Sequence, residues 1–453
     1  MPPPVARPTK QYPNWPTLAL VSAATCALTV AGFLLVFDRR SFRLKRRFGR
    51  YRSRKRLSDS RPRFGTSDVA MSKDVIYLNN ANACLDYVVG AGDTDEFSDA
   101  KSVVKQICLD WRDAENDEIA VKIIVGGITN RLYRLLWQNK SVLVRLYGDH
   151  TEEFIDRDAE NVLFALLSER GFAPTYYGRF KNGRIEGWLD ARPLLPEEMG
   201  QTKPVNYVQM IGRELGVMHV MDILEDRAPV LWTKIERFEK LAMAIKLDDP
   251  VKNAALQEVD LAKLHQKLQW LKSVLPSSQN RNGKDLLDVL DTDAISAQAE
   301  AFASDVVFSH NDLLSGNILH NSDWDRVQII DYEYGGYNYR AFDFANHFCE
   351  NCGFELDLAL YPSMEKQFAF FKAYMSTAAP NLLAELETNR ESKAFFHALY
   401  DVVNRYALAS HLFWGYWAVV QAAHSTIDFD FLAYAAKRFN TFDVHRDVFF
   451  SSN

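Results

Sequence analysis

The chain has 453 residues, 47% hydrophobic and 13% aromatic, which is enough for two or three lobes with buried cores and too apolar for a disordered chain. The net charge of −6 conceals a basic first 65 residues, with fifteen Lys or Arg against two Asp, and leaves the rest strongly acidic. An acidic body argues against nucleic acid as a partner and suits a small cationic ligand.

In chain order, a Pro-rich start (1–16) precedes Thr17–Phe37, 21 uncharged residues long enough as a helix to cross a bilayer. The basic run after it, over 38–65, predicts a single-pass anchor, with everything beyond Phe37 on the cytosolic side of a membrane such as the endoplasmic reticulum. A cleaved signal peptide would carry its charges ahead of a shorter apolar region, and an organelle presequence or a buried helix fits the flanks less well. Five cysteines in no regular framework read as free thiols of a reducing compartment. Cys349 and Cys352 in "CENC" have redox-motif spacing without the strand context such a motif needs, so they read as packing.

A helix is expected near Phe97–Trp111, then strands in "IAVKIIV" and "SVLVRLY" with "GGITNRLYRLLW" between them, then a helix from about Asp156 to Arg170. These compose a small mixed lobe over 66–190. From Asn206 onward helical periodicity dominates, so 191–453 reads as a larger, mainly α lobe. In "VGGITN", Gly126 and Gly127 permit close approach to phosphates and Thr129 and Asn130 add donors, although an ordinary hairpin turn reads the same way. Arg145 on the next strand is placed to touch phosphate, and Glu160 on the following helix is placed to pair with it.

The stretch "HNDLLSGN" has the H-x-D-x-x-x-x-N spacing of a kinase catalytic loop. Asp312 is the candidate base, since a carboxylate must accept the proton of an attacking hydroxyl, and Asn317 is a candidate metal ligand. "ILH" and "VQIID" read as a hairpin delivering Asp331, a second hard oxygen ligand suited to Mg²⁺. His310 and Asp343 read as residues that order the loop. Farther on, Trp414 and Trp417 fall on one helix face, either core or an aromatic wall for an ammonium.

"HNDLLSGNIL", "IIDYEYGGYNYRAFDFANHF" and "LASHLFWGYWAVVQAAHSTIDFDFLAYAAKRF" resemble the choline/ethanolamine kinase family over roughly Phe97–Phe442, and the first and last are similar to its ethanolamine kinase branch. The resemblance implies an α+β, protein-kinase-like two-lobed fold and Mg²⁺-dependent transfer of phosphate from ATP to an amino alcohol. Ethanolamine would then enter the CDP route to phosphatidylethanolamine. It implies Asp312 as base, Asn317 and Asp331 as metal ligands and Arg145 as a phosphate contact. Around the amine it places Glu333, Tyr334, Glu350, Trp414, Trp417 and Tyr434. Leu314 stands where choline kinases typically carry Gln, as in ethanolamine kinases. A choline or dual-specificity kinase and an inactive membrane scaffold are the alternatives, and a homodimer is an open expectation.

Overall fold

The computed structural model describes residues 83–90, 97–124, 131–147, 157–275, 294–390, 392–425 and 429–450. The expected anchor, the basic linker and the Gly126, Gly127, Thr129 and Asn130 loop lie outside them. Among the described residues, no helix is long and apolar enough to cross a membrane.

The small lobe is built on a six-stranded sheet in the order β1-β5-β6-β4-β3-β2. Its strands are β1 (Cys84–Leu85), β2 (Ala120–Ile124), β3 (Arg131–Trp137), β4 (Lys140–Leu146), β5 (Tyr176–Phe180) and β6 (Gly183–Gly187). β3 lies within the stretch that the sequence reading left as a connection. Its side chains alternate, burying Tyr133, Leu135 and Trp137 on the face where β4 buries Val142, Val144 and Leu146. Helix α1 (Ser98–Ile107) covers that face with Ala100, Val103, Val104 and Ile107.

Helix α2 (Arg157–Glu169) follows β4 in sequence, but Leu163, Phe164 and Leu167 belong to the large lobe's core, together with Tyr176 at the start of β5. The two lobes therefore have separate hydrophobic cores, and α2 is anchored in the larger. After β7 (Arg192–Pro193) the chain becomes mainly helical, with α3 (Tyr207–His219) and α4 (Leu231–Ala244). Two short ribbons interrupt the helices, β8 (Val306–Ser309) with β11 (Gly336–Tyr339), and β9 (Ile318–His320) between β7 and β10 (Gln328–Ile329). Helices α5 (Arg340–Glu350), α6 (Met364–Ala378), α7 (Ser392–His424) and α8 (Phe431–Phe449) are the others of this lobe that bear on the site.

Two glycines set how closely these helices cross. A Cβ on Gly216 would stand 2.6 Å from Tyr374 O, so α3 meets α6 nearly backbone to backbone, and a Cβ on Gly415 of α7 would enter the Phe439 ring of α8 at 2.3 Å. α7 and α8 thereby pack closely against each other. Cys349 and Cys352 are free and buried, and burial pushes both thiols above their usual range, consistent with a packing role rather than a reactive dithiol.

Candidate active site

The loop between β8 and β9 is fixed from beneath by Asp343 on α5. Its Oδ2 accepts the main-chain N–H of His310 at 2.8 Å, its Oδ1 accepts that of Asn311 at 2.7 Å, and His219 Nε2 lies 2.9 Å from Oδ2. Burial pushes this carboxyl upward, but the His219 hydrogen bond and the neighbouring imidazoles and amides hold it below its usual value. Both nitrogens of His310 are engaged, Nε2 with Ile330 O at 3.0 Å and Nδ1 with the Asp312 N–H at 3.2 Å. These partners place the proton on Nε2 and leave a neutral ring that orders the loop.

Asp312 is buried at the loop's apex. Burial, followed by the neighbouring carboxylates Glu350 and Asp331, raises its carboxyl well above the usual range. Asn317 donates from Nδ2 to Asp312 O at 2.9 Å and to Asp312 Oδ2 at 3.2 Å, which leaves Asn317 Oδ1 as the amide's acceptor. Ile330 N–H bonds Asn317 O at 3.0 Å and so brings the residue before Asp331 against the catalytic loop. Asp331 lies two residues beyond β10 with φ 63°, a left-handed turn that Asn and Asp tolerate better than most. Burial raises its carboxyl as well. Neighbouring carboxylates whose pKa values burial raises, together with an amide oxygen, are a donor set of the kind a hard divalent cation fits, and Asn317 and Asp331 would hold it.

On the small-lobe side, the expected pairing of Arg145 with Glu160 is corrected. Arg145 Nε instead donates to Glu186 Oε1 at 2.8 Å, and Glu160 is held by Arg157 at 2.6 Å and Arg184 at 2.7 Å. Arg184 also reaches Glu186 at 2.7 Å and joins the two pairs. Against the upward push of burial, Arg184 and Arg157 draw Glu160 down to about 2. Asp331 is also among the charges acting on Arg145, after Glu186 and Arg184.

The residues expected around the amine begin two residues beyond Asp331. Glu333 Oε1 is buried without a hydrogen-bond partner, and burial with the nearby Asp331, Glu160 and Asp312 raises its carboxyl well above the usual range. Tyr334 meets Trp414 edge-on with ring centroids 5.3 Å apart, and Trp414 meets Trp417 at 5.5 Å. Both indoles are buried, and Trp414 Nε1 is fixed by a 2.8 Å bond to Asn346 Oδ1. Asn346 also donates to Asn311 O at 3.2 Å, so the aromatic wall and the catalytic loop share one anchor. Glu350 and Tyr434 are joined by buried Arg438, which donates to Glu350 Oε1 at 2.5 Å and to Tyr434 Oη at 2.8 Å. Leu314 is buried beside Asp312, its N–H bonded to Asp312 O at 3.0 Å.

Sequence reasoning missed Arg184, Glu186, Asn346, Arg438 and Lys234. Arg438 carried one signal, its position four residues after Tyr434 on the same helix face. Lys234, near the start of α4, places Nζ 3.1 Å from Tyr334 O, and nothing in its local sequence distinguishes it from a surface lysine.

A family model for choline/ethanolamine kinase matches residues 121–443. The chain is 34% identical over 354 residues to the "Probable ethanolamine kinase" of Arabidopsis thaliana, covering 77% of this chain and 85% of that one. It is 33% identical over 358 residues to "Ethanolamine kinase 1" of Homo sapiens, covering 76% and 70% respectively. Among solved structures, a Plasmodium vivax ethanolamine kinase superposes with a TM-score of 0.62 at 25% identity, over 79% of this chain and 90% of that one.

Proposed function

Since the chain belongs to the choline/ethanolamine kinase family, we propose that it is an ethanolamine kinase, transferring the γ-phosphoryl group of ATP to the hydroxyl of ethanolamine. The observation that carries this reading is the junction of two half-sites, Asp312 with Asn317 and Asp331 on one side, and the unpartnered Glu333 Oε1 beside the Tyr334–Trp414 wall on the other.

In this reading Asp312 accepts the hydroxyl proton, as a carboxylate held at the apex of the loop beside the metal-binding residues. Asn317 fixes the Asp312 carboxylate by direct hydrogen bonding. Mg²⁺, when held by Asn317 and Asp331, would draw charge from the phosphate oxygens. Glu333 accepts N–H donors from the substrate ammonium, and the aromatic faces supply the cation's remaining surroundings. A primary ammonium has three donors and a quaternary one has none, which favours ethanolamine over choline at an unpartnered carboxylate. The product, phosphoethanolamine, would serve phospholipid head-group synthesis. Thr17–Phe37 and its basic flank would hold the kinase on the cytosolic face of a membrane.

The test is phosphorylation by the full chain with Mg-ATP, comparing kcat/KM for ethanolamine, its methylated derivatives and choline. Ethanolamine is expected to be the best acceptor. Phosphorylation of no amine would overturn the function, and preference for choline would move it to the other branch. Retention in the membrane pellet after alkaline carbonate washing is expected of the anchor, and release would remove it.

A further inference from the structure

We propose that Lys234 is a specificity-determining residue of the amine site, a built-in ammonium that narrows the pocket against quaternary amines. This deepens the reading above and rests on it.

Lys234 belongs to the first turn of α4, and that turn is fixed to the site, because Val230 N–H bonds Tyr337 O of β11 at 3.0 Å and the Lys234 N–H bonds Val230 O at 2.9 Å. From there the side chain runs inward. Nζ donates to Tyr334 O at 3.1 Å and lies 5.4 Å from the centroid of the Tyr334 ring, which also meets Trp414 and Phe413 edge-on. Asn311 Nδ2 donates to the same carbonyl at 2.9 Å, so two donors already occupy Tyr334 O. Glu333, Arg237 and Asp312 all act on the Lys234 charge, so the amine-binding carboxylate and the candidate base lie within reach of its field.

The chain has thus seated its own primary ammonium with the contacts such a cation prefers, a carbonyl oxygen, an aromatic face and a nearby carboxylate. A substrate cation entering beside it meets the same repulsion whether it is primary or quaternary, so the charge term largely cancels from the comparison between amines. Two terms do not cancel. Ethanolamine regains energy by donating N–H bonds to Glu333 Oε1, which has no partner, whereas choline cannot donate. The Lys234 ammonium also stands 5.4 Å from the centroid of the Tyr334 ring, and in this proposal it takes up room against that ring that three N-methyl groups would require.

The experiment uses the full chain as wild type, Lys234→Met, which keeps most of the stem and removes the charge, and Lys234→Ala, which removes both. The readout is the choline-to-ethanolamine ratio of kcat/KM, with the corresponding ratio of amine Kd measured from indole fluorescence without nucleotide. Lys234→Ala is expected to raise both ratios about tenfold, the scale of a few methyl groups gaining room. Lys234→Met should give a smaller rise, and the ATP KM should hold. Ratios unchanged within about twofold in Lys234→Ala would overturn the proposal. A fall in kcat for both amines at constant amine KM would also overturn it and place Lys234 on the phosphoryl group. A wild-type chain that phosphorylates neither amine would overturn the function instead, and the Kd ratio would still decide the role of Lys234.

Discussion

Arg438 and Glu350 form an ion pair of 2.5 Å inside the large lobe, with the guanidinium fully buried and its Nε bonded to the Tyr434 hydroxyl. Removing one member of such a pair strands the other in a medium that solvates it poorly, whereas removing both need not. Arg438→Met is therefore expected to destabilise the protein by about 3–5 kcal/mol, and the double variant with Glu350→Gln to recover a large part of that loss. Urea unfolding of the four members of the cycle measures both, and full additivity would refute the coupling.

Asp312→Asn keeps the shape of the side chain and removes the proton acceptor. Turnover is expected to fall by about 10² to 10⁴ while nucleotide affinity holds. Near-normal turnover would take Asp312 out of the chemistry.

Trp414 presents a ring to Tyr334 and an N–H to Asn346. Loss of the face in Trp414→Ala should weaken amine binding by about 0.5–2 kcal/mol, raising the amine KM more than the ATP KM. Trp414→Phe restores a face without the N–H and should recover part of the amine KM. Equal changes for both substrates would make Trp414 a core residue only.

His347 on α5 bonds the catalytic-loop carbonyl of Leu313 at 3.0 Å, and burial lowers its pKa from an ordinary 6.5 to about 4. The unfolded chain takes up this proton near pH 6.5 and the folded chain resists it until about pH 4, so stability declines as pH falls between those values. The limiting loss from this one imidazole is about 3 kcal/mol. Urea unfolding of wild type and His347→Gln at pH 7 and pH 5 should show a smaller acid loss in the variant, and identical losses would reject the assignment.

Much of the catalytic half was legible because Asp312, Asn317 and Asp331 lie close together in the chain, where loop spacing carries the geometry. The charge network of the small lobe was not legible, because it depends on strand register. Arg145 stands directly opposite Arg184 in the β4–β6 ladder, and Glu186, two residues on and therefore on the same face, takes the partner that had been assigned to Glu160. β3 escaped because "RLYRLLW" mixes arginines with leucines and its alternation is visible only once one face has a helix to cover. Lys234 and Arg438 were hidden for another reason. A charged side chain on an amphipathic helix reads as solvated until the packing shows which way it turns.

Helix α2 has a last consequence. Its apolar side is rooted in one core, while Glu160 reaches Arg184 on a strand of the sheet that has the other. The seam between the two blocks is therefore stitched in part by charges sheltered from water, with 12% of Glu160 and 4% of Arg184 side-chain surface exposed. A joint of this kind is little affected by ionic strength, since mobile ions screen enclosed charges poorly. The two halves of the enzyme should accordingly keep their alignment across the range of salt that a cell experiences.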